Sequence, residues 1–176
     1  MFDARTTQFI RASPDAILDF IMDIERYAEI DEKIRPVLWI RREENFTEFA
    51  FRPKLAGLVG PTLVSQERLT PGRRVDISLA PSPHNRLIRA ITHYEASFEC
   101  VPVPGGTEVT RSERFRLRWP LRWIVGPYLH RKMPILVRRE LLLAKQKLEG
   151  QVTAVDRHAG NADPSGTGGP GRTRRT

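Results

Sequence analysis

The sequence predicts an α+β fold in which an antiparallel sheet of about seven strands packs with a long C-terminal helix, and two short helices follow the first strand. The spacing of apolar residues supports this prediction. It changes from a helical period of about 3.6 to the strand period of 2 over residues 37–119, and the helical period returns after Pro120. Prolines and glycines divide the middle region into short segments, which is typical of strands joined by tight turns.

The composition is that of an ordinary globular protein. Hydrophobic residues make up 40% of the 176 residues and charged residues 28%, which argues against wholesale disorder and against a coiled coil. The single cysteine, Cys100, excludes an intramolecular disulfide and a zinc site built mainly from thiolates. No N-terminal signal segment and no run of about 18 apolar residues occurs, so we expect a cytoplasmic protein that does not span a membrane.

We expect one folded domain over residues 1–155 and a disordered basic tail over residues 156–176. The last twenty residues, 157–176, contain five glycines and two prolines and show no apolar periodicity. Such a segment cannot bury enough apolar surface to offset the entropy lost on ordering.

The first elements are predicted from capping residues and spacing. A short strand is expected over residues 6–11. Ser13 can then cap a helix in which Pro14 occupies the first position and Asp15 complements the helix dipole. A second short helix follows and ends before Pro36. The apolar positions of these two helices are Ile17, Phe20, Ile21, Ile24, Tyr27, Ile30 and Ile34.

Six further strands are predicted between the turn residues, and their alternation assigns two faces. The outward phase of the long fifth segment contains His93 and Glu95, which indicates a solvent-facing side. The expected segments are 37–43, 46–52, 62–69, 73–80, 86–101 and 107–119.

Two helices are predicted after the last strand, over residues 121–132 and 134–150. Pro134 lacks the N–H that would bond to the carbonyl of His130, so we expect a kink or a break there. Gly150 is the expected stop.

Several segments of this sequence, taken in order, resemble one superfamily. Residues 15–17 and 23–27 resemble its first helix and the exit from that helix. Residues 85–98 and the Gly-Gly-Thr turn within residues 104–110 resemble its penultimate strand and final hairpin. Residues 5–150 thus resemble the START-related SRPBCC superfamily, particularly its polyketide cyclase/dehydrase-like branch.

This resemblance implies a helix-grip fold, a curved sheet around the C-terminal helix with a largely apolar cavity between them. The expected ligand is a hydrophobic small molecule, such as a lipid, a polyketide or another aromatic or isoprenoid compound. The superfamily includes enzymes, lipid carriers and receptors, so the fold alone does not determine the chemistry.

Charged residues in the inward phase of the strands are the candidate catalytic groups. Glu67, Arg111 and Glu113 are predicted to form a polar cluster with Tyr94 nearby, in which a carboxyl group moves a proton while Arg111 or Tyr94 stabilises an enolate. The alternative is an ion pair without a catalytic role. The candidate ligand-binding residues are Trp39, Phe49, Phe51, Ile77, Thr92, Phe98, Phe115, Leu129 and Met133.

No motif for a metal, nucleotide or other cofactor is found, so none is expected. The charge is concentrated in residues 111–150, with 11 basic and 3 acidic side chains. Residues 116–132 interleave arginines with aromatic residues and are a candidate contact for an anionic membrane, or else simply a charged outer face. Nucleic-acid binding is not favoured, and the oligomeric state is left open. Three functions follow, in order of preference: a hydrophobic-ligand binder, a cyclase/dehydratase-type enzyme and a peripheral lipid carrier.

Overall fold

The computed structural model describes residues 2–55, 58–119 and 121–159. Seven strands form one antiparallel sheet in the order β1-β9-β8-β7-β6-β3-β2, and β4 and β5 form a separate hairpin. The strands are β1 (Phe2–Ile10), β2 (Val37–Glu43), β3 (Phe46–Phe51), β4 (Lys54–Leu55), β5 (Leu58–Val59), β6 (Leu63–Thr70), β7 (Arg74–Leu79), β8 (Thr92–Val103) and β9 (Gly106–Leu117). The helices are α1 (Pro14–Met22), α2 (Ile24–Tyr27), α3 (Arg86–Ile91) and α4 (Leu121–Ala159), with a 3-10 turn at Glu32–Ile34.

The predicted start of α1 is confirmed. The Ser13 hydroxyl accepts a hydrogen bond from the backbone N–H of Ala16 at 3.3 Å, and Pro14 occupies the first turn. The Asp31 carboxylate caps the 3-10 turn in a similar way, accepting from the N–H of Lys33 at 3.0 Å. Each cap satisfies a backbone N–H in the first turn that would otherwise lack a partner.

The core lies between the concave face of the curved sheet and the helices. Strand alternation produces this arrangement, because Val75, Ile77 and Leu79 are buried while Asp76 and Ser78 between them are exposed. The helix α4 runs along β1 and the sheet. Among the side chains of α4 that the structure describes, the buried ones are Met133, Val137, Glu140, Leu141, Ala144 and Leu148.

The prediction of strand at residues 86–91 is wrong, because these residues form the helix α3. Asn85 starts this helix with a positive φ of 55°, and its side chain bonds to the backbone of Val64 and Ala80. The isoleucines Ile88 and Ile91 are three residues apart, a spacing that suits a helix. The apolar run is nevertheless too short for its periodicity to distinguish a helix from a strand.

The predicted division of the C-terminal segment is also wrong. The helix α4 is continuous through Pro127 and Pro134 and passes Gly150 to reach Ala159. Around Pro134, packing of the buried face from Met133 to Leu148 against the sheet outweighs the hydrogen bond that the proline cannot make. In the described ranges no helix is both long and apolar enough to cross a membrane. Residues 160–176, most of the predicted tail, lie outside the described residues.

Candidate ligand-binding site

A cavity of about 440 Å³ lies between the concave face of the sheet and the elements that cover it. This volume is within the range of small-molecule sites, roughly 300–1,000 Å³. The walls come from β3, β6, β7, β8 and β9, and from α2, the 3-10 turn, α3, α4 and the β4–β5 hairpin. Most of the lining is apolar and includes Ile34, Phe49, Phe51, Leu63, Ile77, Leu79, Ile88, Ile91, Phe115, Leu117 and Met133.

Two charged residues of β9 lie on the cavity side of the sheet. Arg111 and Glu113 are two positions apart on the strand, so both side chains point to the same face, and both are buried. Nη2 of Arg111 donates to Oε1 of Glu113 at 2.7 Å. Nε of Arg111 donates to Oε1 of Glu140 on α4 at 3.2 Å. Arg111 therefore connects the sheet to the C-terminal helix.

Lys33, whose side chain is 22% exposed, completes what we call the buried ion cluster, which consists of Lys33, Arg111, Glu113 and Glu140. Nζ of Lys33 donates to Oε1 of Glu113 at 2.9 Å and to Oε2 of Glu140 at 2.8 Å. The hydroxyl of Tyr27 also donates to Glu140. Each charge thus has at least one opposite partner, which is what makes burial of such groups tolerable.

Glu140 is ionised in this environment. Burial by itself would raise the pKa of its carboxyl, but Lys33, Arg111 and the hydrogen bond from Tyr27 hold that pKa at about 2. The carboxylates in turn raise the pKa values of Lys33 and Arg111, against the opposing effect of burial. The cluster therefore holds fixed charges of both signs beside the cavity.

Glu67 lines the same cavity but stands apart from the cluster. It occupies one row across the sheet with Ile77, Ala96 and Glu113, so three strand spacings of about 4.8 Å separate its backbone from that of Glu113. Within the described residues its side chain makes no hydrogen bond. Burial raises the pKa of Glu67 to about 8, although the positive charge of Arg111 opposes this shift. At neutral pH the carboxyl is mostly protonated and can donate a hydrogen bond.

Four cavity-lining residues each have one buried polar atom without a hydrogen-bond partner in the described part of the chain. Nη1 of Arg111 is a free donor, and Oε2 of Glu113 is a free acceptor. The other two atoms are Oε2 of Glu67 and Oγ1 of Thr92. Tyr94 lies beside them, and burial raises the pKa of its phenol, which keeps it neutral.

The predicted ligand-binding residues divide into four groups, the last of which is Trp39 alone. Phe49, Phe51, Ile77, Thr92, Phe115 and Met133 line the cavity. Phe98 is buried behind it, where its ring lies 4.3 Å from the guanidinium carbon of Arg111. The side chain of Leu129 is outside the described residues.

The prediction for Trp39 is wrong. Its side chain is 42% exposed and does not line the cavity. The pairing of β2 with β3 shifts register between Val37 and Trp39. Such a bulge reverses the faces of the residues that follow it.

Sequence reasoning did not identify Lys33, Glu140, Tyr27 or Asp31 as site residues. Glu140 could have been identified from the sequence, because it lies on the same helical face as Val137, Leu141 and Ala144. A carboxylate in an apolar stripe requires a buried partner. Burial raises the pKa of Asp31 to about 7. The positive charge of Lys33, whose Nζ lies 3.6 Å from Oδ2 of Asp31, opposes this shift.

A curved antiparallel sheet around a C-terminal helix, with a cavity between them, defines a START-like helix-grip protein. The family model described as polyketide cyclase / dehydrase and lipid transport matches residues 1–149, and the chain belongs to this family. No curated protein matches the chain.

Solved structures share the fold at low sequence identity. A Thermus thermophilus protein superposes with a TM-score of 0.69 at 15% identity, covering 85% of this chain and 99% of that one. The di-domain aromatase/cyclase StfQ of the steffimycin pathway gives 0.68 at 16% identity, covering 86% of this chain and 52% of that one. The aromatase/cyclase Zhui of a Streptomyces species gives 0.64 at 15% identity, covering 84% of this chain and 95% of that one. These similarities establish the fold.

Proposed function

We propose that this protein binds a hydrophobic small molecule, a lipid, polyketide or other aromatic or isoprenoid compound, that carries oxygen functions at one end. The observation that carries the proposal is a largely apolar cavity of about 440 Å³ with unpaired buried polar atoms in its wall. An apolar site with a few polar groups that set the orientation is the usual design of small-molecule pockets.

The polar groups favour a particular kind of ligand end. Nη1 of Arg111 and the protonated carboxyl of Glu67 are donors, which suit a carbonyl oxygen. Oε2 of Glu113 is an acceptor, which suits a hydroxyl group. A ligand with a carbonyl and a hydroxyl would therefore satisfy buried atoms that otherwise carry a desolvation cost.

Binding can be tested by filling the cavity. Nile red, a neutral dye with a carbonyl oxygen, serves as the probe. Ile77→Trp and Thr92→Phe place bulk in the cavity, whereas Ser78→Trp adds the same ring on the exposed face of the same strand. We expect the first two variants to weaken dye binding about tenfold or more and the third to bind like wild type.

Near-ultraviolet circular dichroism shows that each variant is folded. Equal dye binding in all three variants would contradict the proposal. Native mass spectrometry of protein purified from its own organism then identifies any ligand that copurifies.

A cyclase/dehydratase activity is the second candidate, and Glu67 favours it. Its pKa of about 8 allows the carboxyl to release and recover a proton near neutral pH. The carboxylate would remove a proton from a carbon between two carbonyls. The enolate, stabilised by Arg111 or Tyr94, would attack another carbonyl of the same molecule, and the new alkoxide would regain the proton from Glu67.

Glu67→Gln separates the two candidates. With a short poly-β-ketone thioester as substrate, mass spectrometry follows ring closure above the background without protein. A large loss of turnover with Nile red binding retained would favour the enzyme. An unchanged rate would remove Glu67 from the mechanism. The same turnover and dye-binding measurements on Glu113→Gln test whether the buried ion cluster takes part.

A further inference from the structure

Large apolar side chains are exposed where β9 passes into α4 and on α3, whose end bonds to that segment. Trp119 is 79% exposed and Trp123, in the first turn of α4, is 75% exposed. Leu87 on α3 is 82% exposed. Two indole rings four residues apart, both largely exposed, are more apolar surface than an ordinary solvated face presents and are suited to contact another phase or molecule.

The exposed rings lie next to a wall of the cavity. The N–H of Arg118 donates to the carbonyl of Ile91 at 2.9 Å, which joins the end of β9 to the end of α3. Ile91 and Leu117 line the cavity, whereas Arg116 and Arg118 on either side of Leu117 are exposed. One short segment therefore contributes both to the cavity wall and to the exposed surface.

The same region is strongly basic. Residues 114–139 contain eight Arg and Lys residues and no Asp or Glu. Within the described part of the chain, neither Arg116 nor Arg118 forms an ion pair. By contrast, Arg41 and Arg42 on β2 pair with carboxylates. The positive charges beside the tryptophans thus remain available to a partner.

We infer that Leu87, Arg116, Arg118, Trp119 and Trp123, here called the rim surface, dock the protein on an anionic lipid bilayer. Tryptophan favours the interface between acyl chains and headgroups, and basic side chains are attracted to anionic headgroups. A polyanion such as nucleic acid would use the arginines but would not require the exposed leucine. The rim surface is separate from the cavity interior, so docking does not require that the proposed ligand binding be correct.

Vesicle co-sedimentation of the full chain tests this inference. We expect binding to phosphatidylcholine vesicles that contain phosphatidylserine, weakening as salt rises, and little binding to pure phosphatidylcholine. Arg116→Glu with Arg118→Glu should reduce affinity roughly tenfold or more, as should Trp119→Ala with Trp123→Ala. Arg41→Glu with Arg42→Glu changes the net charge equally, and Trp39→Ala removes another exposed ring; both controls should bind like wild type.

A second measurement locates the rings directly. In Trp39→Phe, fluorescence comes from Trp119 and Trp123 alone, and we expect quenching by brominated acyl chains in anionic vesicles. Absence of quenching, equal binding to neutral vesicles, or full binding by the rim variants would overturn the inference. Equal retention of a short DNA duplex by wild type and the tryptophan variant, without vesicle binding, would instead indicate a general polyanion surface and would also overturn it.

Discussion

The two faces of β9 hold the same kinds of charged groups in opposite environments. Arg111 is 2% exposed and bonds to Glu113 and Glu140. Arg114, three residues later, is 44% exposed and lies 3.3 Å from a carboxylate oxygen of Asp3. The chemistry of the pairs is alike, so the difference between the faces isolates the effect of burial.

Water largely screens the outer pair, and its side chains lose entropy when they are held together, so its net contribution is small. The inner charges have lost their hydration and depend on one another, so removing one leaves others uncompensated. Strand alternation alone assigns each residue to its face. The comparison therefore predicts very different effects from matched substitutions on one strand.

Arg111→Met should have the largest effect. It leaves Glu140 and Glu113 buried with only Lys33 as a cation, and we expect a loss of about 3–5 kcal/mol in the free energy of unfolding. Urea unfolding followed by circular dichroism measures it. Arg111→Lys, which keeps the charge, should recover part of the loss. A loss below about 1 kcal/mol for Arg111→Met would show that the inner face behaves like the outer one.

Glu67→Gln should change how stability depends on pH. The pKa of Glu67 is about 8 in the folded protein and 4.5 as an unperturbed group, so the folded state holds the proton more tightly. Wild-type stability should therefore fall as the pH rises from 4.5 to 8, by up to about 1.4 kcal/mol per pH unit from this residue. Between pH 5.5 and 7.5, the free energy of unfolding should therefore fall by roughly 2–3 kcal/mol less in the variant than in wild type. Asp31 titrates in both proteins, so its contribution cancels when the two pH profiles are compared. Parallel pH profiles would contradict the assignment.

Arg114→Met should have the smallest effect, about 0–1 kcal/mol, and the difference from wild type should shrink further in high salt. The same urea titration measures it, which makes it the matched control for Arg111→Met. A cost comparable to that of Arg111→Met would mean that burial does not account for the contrast between the faces.

Several features could be predicted from local sequence. The cap at Ser13 and Pro14 specifies where α1 starts, because it involves neighbouring residues. The inward phase of Glu67, Arg111 and Glu113 follows from strict alternation, and their burial confirms it. The segments that resemble the family were likewise sufficient to predict the helix-grip fold.

Other features depended on contacts between distant parts of the chain. Lys33 and Glu140 are 107 residues apart, and no local pattern pairs them. The register shift before Trp39 and the helix at residues 86–91 each depend on neighbouring elements that periodicity does not represent. In the regular strands β7 and β9, the sequence by itself determined which residues share a face, since backbone geometry repeats locally. Only the tertiary structure decided which buried charges meet and that α4 continues through Pro134, because packing free energy outweighs local preference at those positions.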